Sequence, residues 1–149
     1  LSIVLAQLTL RDSGPLLECL VPRAEGQPGE IAIFATACAF APEQGAPLVR
    51  LSCLQMPRSL PAAVRWTGQG SLVTPQTPIM TWRASADQEE LVDESSLSIA
   101  GLVRSDVTFS GKMSSDPAAS RLIRWQAPLQ SADPPGIDPA PLPRLGSLR

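Results

Sequence analysis

The sequence predicts an all-β chain, folded as an antiparallel, jelly-roll-like β-sandwich with an extended proline-rich C-terminal tail. Three observations predict it. The chain's 16 prolines punctuate it along its length, and an interior helical proline costs about 3 kcal/mol, so long helices have little room. Strand-sized runs with period-two alternation lie between them. Short turns rich in Gly, Pro and Ser separate these runs at the spacing of a sandwich or barrel.

The elements follow in order. Ser2–Leu10 reads as a first strand, with Leu8 and Leu10 alternating around Thr9. Leu16–Val21 is an apolar run closed by Pro22. In Glu30–Phe40, Ile31, Ile33, Ala35, Ala37 and Ala39 share one parity, while Phe34, Cys38 and Phe40 occupy the other. The run is therefore expected to be buried on both faces. Leu48–Met56 alternates cleanly, and Ala62–Thr67, Ser71–Thr74, Pro78–Arg83, Leu97–Val103, Asp106–Met113 and Arg121–Ala127 are further strand-sized runs. In Asp106–Met113, Val107, Phe109, Gly111 and Met113 are expected to face inward. Phe34, Phe109 and at least two of Trp66, Trp82 and Trp125 are the expected core aromatics. One helix is expected near Ser85, because Ser85-Ala86-Asp87-Gln88 has the pattern of a capping box ahead of Glu89–Glu94. Pro117–Arg124 is a weaker helix candidate, since Arg121–Gln126 reads better as a strand.

At 149 residues the chain has the length of one domain. Residues 1–129 form the expected β-sandwich domain, and the composition changes at Gln130. Pro134, Pro135, Pro139, Pro141 and Pro143 make 130–149 an extended, polyproline-like tail. Its apolar residues Ile137, Leu142, Leu145 and Leu148 are the expected anchors, seated on a neighbouring subunit. The chain begins at a leucine, Leu1, with neither a basic segment nor a small-residue cleavage site in its first ten residues. The expectation is a chain released by processing or cut from a longer one. No apolar run reaches the length of a membrane-spanning helix.

Composition narrows the chemistry. Histidine and tyrosine are absent, no asparagine occurs, and Lys112 is the only lysine. Without histidine, Ser-His-Asp and Cys-His catalysis and histidine-containing zinc sites are excluded. The lysine and asparagine scarcity matches a GC-rich coding bias; the missing histidine bears more directly on function. The net charge of −2 disfavours a sequence-independent grip on nucleic acid, which needs a basic face. Cys19, Cys38 and Cys53 form no C-x-x-C pair and read as buried thiols, with one disulfide as the alternative. Asp87, Glu89, Glu90, Asp93 and Glu94 offer oxygen ligands without the order of a calcium loop, so a solvated acidic face is expected, with a cation site as the alternative. Gly68-Gln69-Gly70 is a turn, and no phosphate-binding glycine motif occurs.

Each tryptophan has an arginine neighbour: Arg65-Trp66, Trp82-Arg83 and Arg124-Trp125. On strands these point to opposite faces, so the tryptophans are expected inside and the arginines outside. Arg65, Arg83 and Arg124, with the tail anchors, are the candidate contact residues, because Arg and Trp are enriched where proteins bind each other. Stacking on single-stranded nucleic acid would also use Trp and Arg, but the acidic balance opposes it. No enzyme and no cofactor is expected. The expected function is a structural subunit working through contacts with other protein subunits in a capsid- or particle-type assembly, in a virion or outside the cytoplasm. The alternative is a secreted or surface recognition module. Viral capsid jelly rolls, adhesins and secreted modules share this layout, and layout alone does not set function.

Overall fold

The structure, a computed structural model, describes residues 1–20, 29–52, 64–85, 87–109, 122–126 and 135–136. Apart from β10 (Gln88–Leu91), its strands fall where the period-two runs lie, but their pairing differs from a sandwich. β1 (Ser2–Ala6), β2 (Thr9–Arg11) and β3 (Leu17–Leu20) form one turn of a coil. β4 (Ile31–Thr36), β5 (Ala39–Ala41) and β6 (Val49–Ser52) form the next, and β7 (Val64–Gln69), β8 (Ser71–Val73) and β9 (Met80–Ser85) a third. A partial fourth turn holds β11 (Ser98–Ile99) and β12 (Leu102–Arg104).

Each strand pairs in parallel with its counterpart one turn on: β1 with β4, β4 with β7, and β7 with β11 on the first side. The second side stacks β2, β5, β8 and β12, and the third stacks β3, β6 and β9. The chain thus winds as a three-sided parallel β-solenoid, with walls here called sheets A, B and C. The antiparallel, jelly-roll-like sandwich is overturned by this register. The physical reason is that a solenoid wall also buries one face and exposes the other, so its strands show the alternation that usually marks an antiparallel sheet. The other two sides of the coil supply the long crossover that parallel strands require.

Among the described residues, antiparallel pairing is found only where β10 meets β9 and in a late two-stranded ribbon. β10 (Gln88–Leu91) folds back on β9 and closes sheet C. The capping-box segment is therefore a hairpin, not a helix: pairing with β9, and ion pairs made by Glu89, outweigh the local cap signal. The short 3-10 turn Glu94–Ser96 follows, capped by Asp93, whose carboxylate accepts from the Ser95 backbone N–H at 3.0 Å. No described residue is in an α-helix. β13 (Val107–Phe109) and β14 (Leu122–Trp125) form a two-stranded antiparallel ribbon, sheet D.

Inward-facing side chains stack turn upon turn. Ile31 lies over Val64 and Ile33 over Trp66, and all four are buried. Phe40 meets Trp66 edge-on, with ring centroids 5.4 Å apart and planes at 83°, a geometry that adds about 0.5–1.5 kcal/mol to the burial itself. Leu48, Val49, Leu51, Val73 and Met80 complete the interior. Phe34 corrects the sequence reading. It has the outward parity of β4 and is 49% exposed, because Ala37 turns the chain and puts Phe40 on a different wall. Val107, Phe109 and Trp125 are only half-buried, packing with Val103 against Ala39 and Leu72 on the outer face of sheet B.

The corner between sheets A and B repeats. Gln7, Ala37 and Gly70 each take positive φ, at 50°, 50° and 66°, one residue after β1, β4 and β7. The left-handed residue turns the chain sharply, and Ser71 Oγ ties two turns there, accepting from Cys38 N and donating to Ala35 O, both at 3.2 Å. Pro135 and Gly136 are buried against this corner, with Gly136 N–H donating to Ala37 O at 2.7 Å. These two tail residues pack on the chain's own solenoid rather than on a neighbour. A Cβ on Gly136 would lie 2.7 Å from Thr9 Oγ1.

Candidate interaction surface

The two ends of the solenoid differ. At the downstream end, Arg104 reaches across the last turn and donates to the carbonyls of Pro75 at 2.7 Å and Thr77 at 3.0 Å, and pairs with Glu94. With the β9–β10 hairpin it borders a groove of about 380 Å³ lined by Ile79, Met80, Leu91 and Val92, and β10, β11 and β12 are the outermost strands at that end among the described residues.

At the other end, β1, β2 and β3 are the outermost strands of sheets A, B and C among the described residues. Ala32 N donates to Leu1 O, and Gln7 N to Thr36 O. The odd-numbered residues of β1 thus turn their main-chain groups toward β4, and Ser2, Val4 and Ala6 turn theirs away from it. Among the described residues, Leu1 at 65%, Val4 at 73% and Leu20 at 82% are large exposed apolar side chains of the first turn, and Phe34 sits beside Val4 in register; Leu91, at 72%, is exposed on β10 at the downstream end. Ser-Ile-Val-Leu-Ala in β1 carries no charge and no proline, the features that normally protect an edge strand.

The outer face of sheet C is charged and internally paired. Arg50 Nε donates to Glu89 at 2.9 Å, and Arg83 Nη2 to Glu18 at 2.9 Å, with the cross pairs at 3.9 and 4.0 Å. Thr81 Oγ1 also donates to Glu89, at 2.6 Å. Partial burial pulls the Glu89 carboxyl upward, but the bonds from Thr81 and Arg50 and the charges of Arg50 and Arg83 outweigh it, holding the group below the ordinary carboxylate range.

The candidate residues scatter over this frame. Arg65 is exposed on sheet A and pairs with Glu30 at 3.4 Å. Arg83 lies in the sheet C network, and Arg124 is exposed on β14, opposite Thr108. The three arginines do not converge. Trp66 is buried, with its indole N–H lacking a partner among the described residues, while Trp82 is half-buried. Ile137, Leu142, Leu145 and Leu148 lie outside the described residues.

The acidic run does not converge on one point. Glu89 serves the sheet C pairs, Asp93 caps the 3-10 turn and Glu94 holds Arg104. Among the described residues no group of three candidate ligands could hold a metal ion. Cys19 and Cys38 are free thiols, each raised above the ordinary range chiefly by burial; Cys53 lies outside the described residues. No helix among the described residues is long and apolar enough to cross a membrane.

The residues that sequence reasoning missed are Val4, Leu20 and Phe34. The signal for Val4 was present: an uncharged, proline-free strand with no alternating polar partner strong enough to keep it wet. Comparison with protein-family models, curated proteins and solved structures finds no match to this chain.

Proposed function

We propose that the protein is a non-catalytic structural subunit that works through protein–protein contacts, and that the first turn of the solenoid carries the contact. The observation supporting this is the exposure of Leu1, Val4 and Phe34 on and beside β1, an edge strand among the described residues that has neither charge nor proline. Exposed apolar residues scattered singly need no explanation, but a cluster on a sheet edge favours association. The absence of histidine, and the engagement of the acidic residues in structural pairs, fit a surface role rather than acid–base chemistry.

The test is sedimentation of the 149-residue chain across a range of concentrations, beside a variant carrying Val4→Lys and Phe34→Lys. Both side chains point outward, so the variant keeps its core. The chain should associate as concentration rises, and the variant should remain monomeric with an unchanged urea midpoint. Association that survives both substitutions would move the contact elsewhere and refute the assignment.

A further inference from the structure

We infer that the fourth turn of the solenoid is a built-in terminator. Arg104 and Glu90 hold inward-facing positions there, so a further turn, of this chain or of another copy, cannot stack on it without burying both charges. The inference goes beyond the contact proposed above, because it uses other residues at the other end of the coil. It rests on register, which follows each inward position from turn to turn.

On sheet B one inward lane runs Leu10, Phe40, Val73 and then Arg104, in register across β2, β5, β8 and β12. Leu10, Phe40 and Val73 pack in the interior. The alternation along β12 agrees. Leu102 packs with the same interior and Val103 with Ala39 and Leu72 on the outer face, so Arg104 returns to the inner parity. On sheet C a lane runs Cys19, Leu51, Trp82 and then Glu90. The first three pack with the interior. Residues opposite one another in an antiparallel pair share a face, so Glu90 has the inner parity, and it is exposed. Sheet A keeps an apolar lane of Ile3, Ile33, Trp66 and Ile99. Two of the three walls therefore carry a charge where the preceding turns place an apolar side chain.

The bonds of Arg104 hold it at this position. Its guanidinium lies across the end of the third turn, donating to the carbonyls of Pro75 and Thr77 and pairing with Glu94. A fifth rung would set a side chain over it as Val73 sits over Phe40. Water would then be stripped from Arg104 and Glu94 together, and the desolvation of an ion pair can exceed its Coulombic gain. Glu90 would be buried beside Trp82, where the described residues supply it no ion pair, a still more costly burial. Inward-pointing charges on an outer strand are one of the ways proteins prevent edge-to-edge growth. The chain's own course fits a terminator. Beyond Arg104, Val107 and Phe109 mount no fifth rung; they pack with Val103 over Ala39 and Leu72, outside the second and third turns.

The test replaces Arg104→Leu and Glu90→Leu in a 149-residue parent chain that already carries Val4→Lys and Phe34→Lys, so that the contact proposed above is silenced. Sedimentation velocity across a range of concentrations reads the gain in self-association over that parent. The leucine pair should lower the dissociation constant about tenfold or more, because burying a charge costs several times the energy of one factor of ten. Arg65→Leu with Glu30→Leu is the control. It makes the same change of composition at an exposed ion pair outside the inward lanes, and it should leave the parent's association unchanged. Circular dichroism and the urea midpoint report whether each variant is folded. Should loss of the Arg104 bonds unfold the chain, Glu90→Leu alone carries the test, since Glu90 is exposed and the same gain in association is expected of it. A folded leucine variant that sediments like its parent would overturn the terminator, and so would an equal gain in the control. A parent that still associates would refute the contact proposed above and leave this comparison intact, because the comparison is read as a gain.

Discussion

Replacing Gly68 by alanine should be among the most damaging single-methyl changes in this protein. Gly68 sits where sheet A turns toward sheet B, with φ at +145°, a region that side-chain-bearing residues enter only at a cost of about 1–3 kcal/mol. The neighbouring turn adds a harder obstacle. A Cβ there would lie 1.8 Å from Ala35 O, 2.7 Å from Ala35 C and 3.0 Å from Ala35 N. These are main-chain atoms of β4, whose spacing from β7 is set by inter-strand hydrogen bonds at about 4.8 Å. Relief requires moving the two turns apart by roughly 1 Å or more, which breaks bonds of about 1 kcal/mol each at the corner. The sum is at least about 4 kcal/mol, at the exceptional end for point mutants and comparable with the whole stability of many domains. Equilibrium urea unfolding followed by tryptophan fluorescence measures it, since Trp66 lies two residues away in the core. Gly14→Ala is the internal control: nothing lies within 4 Å of its Cβ position, so its effect should stay within about 0.5 kcal/mol. A Gly68→Ala midpoint that matches the Gly14→Ala midpoint would refute the stacked-corner reasoning.

The same corner gives a stabilising change: Gln7 is exposed with φ at 50°, so Gln7→Gly should raise stability by about 0.5–1 kcal/mol, and a lowered thermal midpoint would contradict the strain assigned to this position. The sheet C network gives a pH dependence. Because the folded-state Glu89 carboxyl is held below its ordinary value of 4.5, its stabilising contribution is present above that pH and lost as pH falls through the lower, folded-state value. Glu89→Gln should flatten that acid limb and cost about 0.5–1 kcal/mol at neutral pH, as read from urea midpoints between pH 2 and pH 7; an unchanged acid limb would mean the pairs with Arg50 and Arg83 do not hold in solution.

Strand positions were legible in the sequence because a strand's inward residues have to be apolar whatever its neighbour does. Ile31, Ile33 and Ala35 announce β4, and Val64 and Trp66 announce β7, without any knowledge of pairing. Direction was not legible from alternation, since a wall with one wet face looks the same in a sandwich and in a solenoid. The discriminating signal was the return of the pattern at about 30-residue intervals, the mark of stacked repeats. Ile31 and Ile33 are answered by Val64 and Trp66 in register, and then by Ile99 beside Trp66. The residue types change at each return, so the repeat is one of shape and not identity. The corner shows why. Ala35 and Gly68 stack in register, and a Cβ on Gly101 would meet Gly68 O at 2.0 Å; what recurs there is the need for a small side chain. Gln7 and Ala37 share a left-handed backbone for the same geometric reason, although neither residue type signals one. The candidate surface was harder to read. Arg65, Arg83 and Arg124 stood out by their place beside tryptophan, but neighbours on a strand diverge, and three strands on different walls send their arginines three ways. Val4 and Phe34 belong together only because parallel register sets them side by side. In a solenoid, outward residues become neighbours through the turn-to-turn register, so a surface of this kind is read by stacking the repeats.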